Sequence, residues 1–182
     1  MNKVIGIING SFRKNSFSQS VSDYVAANAP DGLVFKVIDI SNLPLYNQDY
    51  DEANPVEYTV FRDQVRALDG VLFITPEHNR SIPAALKNAL DVGSRPYGES
   101  VWNGKPGAII SLSPGNIGGF GATHHLRQIL AFLNVQTMAQ PEAYLSAYHT
   151  LIDENGALSN ESTKGFINSV LAAFKAWVDK VS

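Results

Sequence analysis

The chain of 182 residues contains no cysteine, which excludes disulfide bonds, thiolate nucleophiles and cysteine-ligated metals. It has no apolar run near the ~20 residues that span a bilayer, and no signal-peptide pattern opens it, so we expect a cytoplasmic protein without a membrane partner. Charged residues are also scarce, at 17%. The net charge of −3, with no basic block, argues against nucleic acid as a partner.

Short apolar runs alternate with amphipathic segments along the whole sequence. Leu126, Ile129, Leu130 and Leu133 show the helical spacing i, i+3, i+4, i+7 most clearly. This alternation predicts an α/β fold with a doubly wound parallel sheet, in one domain over residues 1–182. The predicted strands are 4–9, 33–39, 71–75, 107–112 and 135–138.

The polar loop 10–18 follows the first predicted strand and leads into a helix. A helix N-terminus offers unpaired N–H groups and partial positive charge, to which Ser11, Ser16 and Ser18 add hydroxyls and Arg13 adds a guanidinium. The loop lacks both G-x-x-x-x-G-K-[ST] and G-x-G-x-x-G, so a terminal monophosphate such as that of FMN fits better than a triphosphate or a dinucleotide. The alternative is that Ser16 or Ser18 merely caps the helix.

A second polar loop, 76–83, follows the third predicted strand and is stiffened by a proline at each end. The carboxyl ends of parallel strands meet at one edge of a sheet, so this loop can face the first one. Pro76 and Asn79 then suit the edge of a flavin ring, while Ser113 and Gly115, after the fourth strand, close the other side.

Each of these residues also has a purely structural interpretation. Glu77 is either a solvated charge or a partner for a loop N–H, and Arg80 pairs with a surface carboxylate. Asn79 stabilises its own turn, and the glycines of 115–121 serve only a tight turn. The residues alone leave these alternatives open.

Together, the two loops closely resemble those of the flavodoxin-like NADPH-dependent FMN reductase family, in particular its NAD(P)H:quinone and chromate reductase branch. The family's first loop reads G-S-L-R-K-x-S-x-N, and residues 10–18 read GSFRKNSFS. Its second reads P-E-Y-N-x-S-x-P-x-x-L-K-N-A, and residues 76–89 read PEHNRSIPAALKNA. Two positions depart from the family pattern, with His78 in place of tyrosine and Ser18 in place of asparagine.

The resemblance implies a flavodoxin-like sandwich of about five parallel strands in the order 2-1-3-4-5, with helices on both faces. It also implies bound FMN, NADPH or NADH as donor, and ping-pong hydride transfer through flavin N5 to a quinone or similar planar acceptor, with no metal. By that resemblance the phosphate and ribityl chain contact Ser11, Arg13, Ser16, Phe17 and Ser18, and the ring contacts Pro76, Glu77, His78, Asn79 and Arg80, with Ser113 in the same pocket.

The family commonly forms homodimers or homotetramers, and the loops that carry Tyr46, Tyr50, Tyr97 and Trp102 are compatible with such contacts. The alternative function is a flavodoxin-like electron carrier, or a regulatory FMN-binding protein without significant turnover. Carriers of that type are usually far more acidic than a chain of charge −3, so we expect an enzyme.

Overall fold

The computed structural model describes residues 2–182 and contains one parallel sheet flanked by helices. The strand order is β2-β1-β3-β4-β5, and every pairing is parallel, which confirms the predicted order. Among residues 2–182, no helix is both long and apolar enough to cross a membrane. The strands are β1 Lys3–Asn9, β2 Leu33–Ile38, β3 Gly70–Pro76, β4 Pro106–Leu112, β5 Gln136–Thr137 and β6 Ala143–Leu145; the α-helices are α1 Phe17–Ala27, α2 Val56–Arg66, α3 Ala84–Gly93, α4 Phe120–Phe132 and α5 Glu161–Val181.

Helices cover both faces of the sheet, as predicted. On one face, Val21 of α1 and Phe174 of α5 belong to the same buried cluster as Ile7 and Leu72. On the other face, α2, α3 and α4 form a second buried cluster. Burial on both faces explains why the central strands read as continuous apolar runs in the sequence.

The fifth position of the sheet differs from the prediction of one strand over 135–138. β5 pairs with β4 over only two residues, and β6 pairs with β4 further along, at Ile110↔Ala143. On the side away from β3, β4 therefore pairs with two short segments, β5 and β6, and β6 was not predicted. Three residues are too few to show a periodicity, so the β6 pairing depends on β4 as a preformed edge.

The structure corrects the expectation for Trp102 as a subunit-contact residue. Its side chain is fully buried, and its Nε1–H donates to the carbonyl of Leu90 at 3.0 Å. Gly93 makes room for it, because a Cβ there would lie 2.5 Å from Nε1. Tyr97, by contrast, is 92% exposed.

Candidate functional site

The loops that leave the carboxyl ends of the strands lie side by side. The amide of Gly10 donates to Ile74 at 2.8 Å, which joins the ends of β1 and β3. The amide of Ser113 donates to Leu145, and the amide of Tyr148 donates to Ser113, both at 3.1 Å. The predicted site loops therefore meet at one edge of the sheet, together with a loop after β6 that was not predicted.

Ser16 begins α1 as its N-cap. Its Oγ accepts from the amide of Gln19 at 3.1 Å, and its carbonyl accepts from the amide of Ser20 at 3.2 Å. The capping interpretation is therefore correct, but it uses only part of the helix end. The amides of Phe17 and Ser18 come before the first intrahelical bonds and so have no acceptor within the helix. An anion fits these two donors.

The side chain of Ser18 is too deeply buried to contact a ligand directly. It is 1% exposed, and its Oγ lies 3.2 Å from Oγ of Ser16. Its carbonyl also accepts from Oγ of Ser22 at 2.8 Å. The hydroxyl of Ser18 therefore orients Ser16, while its amide stays at the helix end.

Arg13 supplies a cation that no carboxylate neutralises within residues 2–182. Its guanidinium lies 5.9 Å from the centre of the Phe17 ring, and its polar contact is with the carbonyl of Lys14 at 3.4 Å. Ser11 lies beside it, with its amide held by Oδ1 of Asn9 at 3.0 Å. The unpaired guanidinium, the hydroxyls and the two amides together form a donor set that fits a phosphate monoester.

The second loop turns tightly at its tip. His78 and Ser81 exchange two backbone hydrogen bonds of 2.9 Å, and the residues between them have φ of 51° at Asn79 and 65° at Arg80. Two positive φ values define a type I′ turn, which asparagine adopts readily and arginine does not. The exchange of bonds does not use the amides of Asn79 and Arg80, which remain available at the tip.

Glu77 braces this loop against α4. Its side chain is 9% exposed, Oε2 accepts from the amide of Ala122 at 3.1 Å, and Oε1 pairs with Nη1 of Arg80 at 3.1 Å. Gly121 permits the approach, because a Cβ there would lie 2.8 Å from the carbonyl of Arg80. Of the open alternatives, Glu77 as a partner for an N–H is correct, although that N–H lies 45 residues away in α4.

The glycines after β4 do more than form a tight turn. Gly118 and Gly119 have φ of 58° and 85°, and a Cβ on Gly118 would lie 2.7 Å from the main chain of Tyr144. Oγ of Ser113 donates to the carbonyl of Gly115 at 3.1 Å. This packing places the loop between the end of β4 and β6, with Gly115 exposed.

An aromatic cluster beside these glycines was missed in the sequence. The rings of Phe120 and His124 are 4.1 Å apart, and the ring of Tyr144 lies 5.6 Å from that of Phe120, which is half exposed. Burial, followed by the nearby carboxylate of Glu142, raises the pKa of Tyr144 to about 12, so its hydroxyl remains a hydrogen-bond donor. The signal in the sequence was weak because Tyr144 lies on the unpredicted strand β6.

The strand order, with the N-terminus of a helix at the carboxyl edge of β1, is the arrangement of flavodoxin-like domains. The family model described as NADPH-dependent FMN reductase matches residues 3–150, and the chain belongs to this family. A flavin-dependent oxidoreductase using NAD(P)H and FMN, as the resemblance implied, is therefore confirmed at the level of the family.

Individual relatives agree with this assignment over nearly their full length. A quinone reductase of Pseudomonas putida is 48% identical over 175 residues, which cover 96% of this chain and 94% of the relative. A 2-hydroxy-1,4-benzoquinone reductase of a Burkholderia species is 44% identical over 174 residues, covering 96% and 95%. The solved structure of FerB from Paracoccus denitrificans, a flavoenzyme NAD(P)H:(acceptor) oxidoreductase, is 35% identical, with a TM-score of 0.91 over 98% of each chain.

Proposed function

We propose that residues 1–182 form a single cytoplasmic domain that reduces quinones with NADPH or NADH through a bound FMN. The names of the relatives support the substrate class. The observation that carries the proposal is the N-terminus of α1, where two amides have no partner in the helix and Arg13 has no carboxylate partner among residues 2–182. A phosphate monoester satisfies both needs at once.

In this proposal the first loop holds the phosphate and the start of the ribityl chain. Arg13 neutralises the charge, the hydroxyls of Ser11 and Ser16 donate from the side, and the amides of Phe17 and Ser18 donate along the helix axis. The ring of Phe17 supports this end of the site from below, since it packs on the buried Tyr148 at 5.4 Å between ring centres.

The second loop and the loop after β4 hold the ring in this proposal. Pro76, His78 and the amides of Asn79 and Arg80 contact one edge of it, while Ser113 and Gly115 close the opposite side. Glu77 acts through its brace on α4, which fixes where the tip of the turn lies.

FMN held by these loops would supply hydride transfer at N5 between NAD(P)H and the acceptor. The protein orients both reactants against one open ring face, so the oxidised nicotinamide leaves before the acceptor binds. Because NAD(P)H and the acceptor use the same site in turn, we expect ping-pong kinetics.

We propose further that the protein is a homodimer or homotetramer. Tyr97 and Phe132 are 92% and 90% exposed and line one hollow, where two large apolar side chains gain from being covered by a second copy. A monomeric mass by light scattering across the working concentration range contradicts this.

The test of the function is a titration of the purified protein with FMN and then, in the absence of oxygen, with NADPH. We expect FMN to bind, its absorbance to bleach on adding NADPH alone, and a quinone to restore it. A protein that takes up no FMN refutes the proposal. One that binds FMN but needs a separate reductase for bleaching is an electron carrier instead.

A further inference from the structure

An open groove lies between the second loop and α4, next to the tip of the type I′ turn. Its volume is about 830 Å³, and it is separate from the phosphate-binding end of α1. Ile82 and Ile129 provide apolar walls, while His78, Ser81 and His125 place polar atoms in it. Apolar walls with a few convergent polar groups suit a small planar molecule that carries carbonyl oxygens.

Two of the polar groups form a hydrogen-bonded pair. Nδ1 of His125 lies 2.9 Å from Oγ of Ser81. The main chain of Ser81 is fixed by its two bonds to His78, so its hydroxyl has a defined position in the groove. His125 is exposed on α4 and can exchange protons with water. The pair therefore connects solvent with the interior of the groove.

Reduction of a quinone to a hydroquinone requires a hydride and one further proton. The hydride, which comes from NAD(P)H, supplies both electrons and the first proton, and the second quinone oxygen must gain its proton from elsewhere. An imidazole within hydrogen-bond reach is the usual source of such a proton in proteins.

We propose that Ser81 and His125 deliver this proton, an inference that rests on the proposed function. The hydroxyl of Ser81 donates its proton to the quinone oxygen, forming the new O–H bond, and Nδ1–H of His125 replaces the proton on Oγ. Nε2 of His125 takes up a proton from bulk solvent in the same step, so that no imidazolate forms. Ser81 is the catalytic residue that touches the acceptor, and His125 acts through it.

The test measures the turnover of FMN-loaded His125→Gln with two acceptors, a benzoquinone and ferricyanide. A benzoquinone needs the extra proton, whereas ferricyanide takes single electrons and no proton. We expect kcat with a benzoquinone to fall about 100-fold, at the low end for a lost general acid, with KM little changed and ferricyanide reduction retained. His149→Gln is the matched control, because His149 is an exposed histidine outside the groove. It should match the wild type with both acceptors.

Two measurements that do not depend on turnover complete the test. Titration of the oxidised FMN-loaded protein with hydroquinone should give weaker binding for Ser81→Ala and the wild-type affinity for His125→Gln. Ring-nitrogen NMR shifts of His125 should change in Ser81→Ala, while those of His149 stay constant. The double variant Ser81→Ala/His125→Gln should lose no more quinone turnover than the worse single variant.

Three outcomes overturn the relay: equal losses with quinone and ferricyanide, no loss with quinone, or additive losses in the double variant. Failure of the wild type to bind FMN or to reduce ferricyanide refutes the proposed function instead. The two failures are therefore distinguishable.

Discussion

The loops after β1 and β3 are both short and polar, but they use their polar groups in different ways. In the described chain, the first loop leaves Arg13 without a carboxylate partner and the amides of Phe17 and Ser18 without an acceptor in the helix. In the second loop, both charged groups have partners within the protein. Glu77 accepts a hydrogen bond from the amide of Ala122 and forms an ion pair with Arg80. The first loop is therefore suited to recognise charge, and the second to present a fixed shape.

In the proposed function, this difference assigns the phosphate to the first loop and the flavin ring to the second. A phosphate is recognised by donors that lack partners, whereas a flat ring needs an edge that does not move. The type I′ turn supplies such an edge, since its two bonds between His78 and Ser81 fix the main chain at the tip. Removing a side chain from either loop should therefore have a different consequence.

The largest expected effect separates the two arginines. Arg13→Gln should weaken FMN binding by about 10–100-fold, since a hydrogen bond to a charged group contributes roughly 1.5–3 kcal/mol, and should leave riboflavin binding unchanged. Arg80→Gln is the matched control and should change both affinities equally. Fluorescence titration with the two flavins measures this. If Arg13→Gln weakens the binding of FMN and riboflavin equally, the first loop does not bind the phosphate.

The next largest effect is expected on stability, from the contact between Glu77 and the N-terminus of α4. Glu77→Ala leaves the buried amide of Ala122 without its acceptor, so we expect the free energy of unfolding in urea to fall by about 1–3 kcal/mol. The exposed contact with Arg80 adds little to this. Glu161→Ala is the control, since Glu161 also forms an (i, i+3) ion pair, with Lys164, but is 84% exposed, and should change stability by less than about 0.5 kcal/mol. Equal effects of the two variants contradict the bracing role.

A smaller effect tests whether the second loop acts through its main chain. Asn79→Ala should cost about 1 kcal/mol, because alanine resists the positive φ, whereas Asn79→Gly should restore stability. Riboflavin affinity should follow the turn, and so be kept in Asn79→Gly. If the Asn79→Gly variant binds riboflavin as poorly as the Asn79→Ala variant does, the side-chain amide of Asn79 makes the contact instead.

The smallest effect on stability is expected at His78. His78→Tyr restores the family pattern at an exposed position, so the free energy of unfolding should change by less than about 0.5 kcal/mol. FMN should remain bound, while quinone turnover falls because an imidazole of the groove is lost. Unchanged turnover would mean that the histidine only fills space.

Much of the fold could be predicted from the sequence, because its central strands are buried on both faces and therefore read as apolar runs. The N-cap at Ser16 was also predictable, since capping depends on the neighbouring amides. The β6 segment was not, because its three residues form a strand only against β4. Trp102 was misplaced for a related reason: its burial depends on the space left by Gly93, which composition does not show.

The sequence by itself determined the order of strands and loops, the absence of thiol chemistry and the two loop motifs that identify the family. These are local properties, set by apolar periodicity and by neighbouring residues. Only the tertiary structure decided that Glu77 binds the end of α4, that Ser18 lies behind Ser16, and that Ser81 meets His125. The first and last of these contacts join groups 45 and 44 residues apart, and the second depends on how deeply α1 is buried, so each is set by packing rather than by spacing.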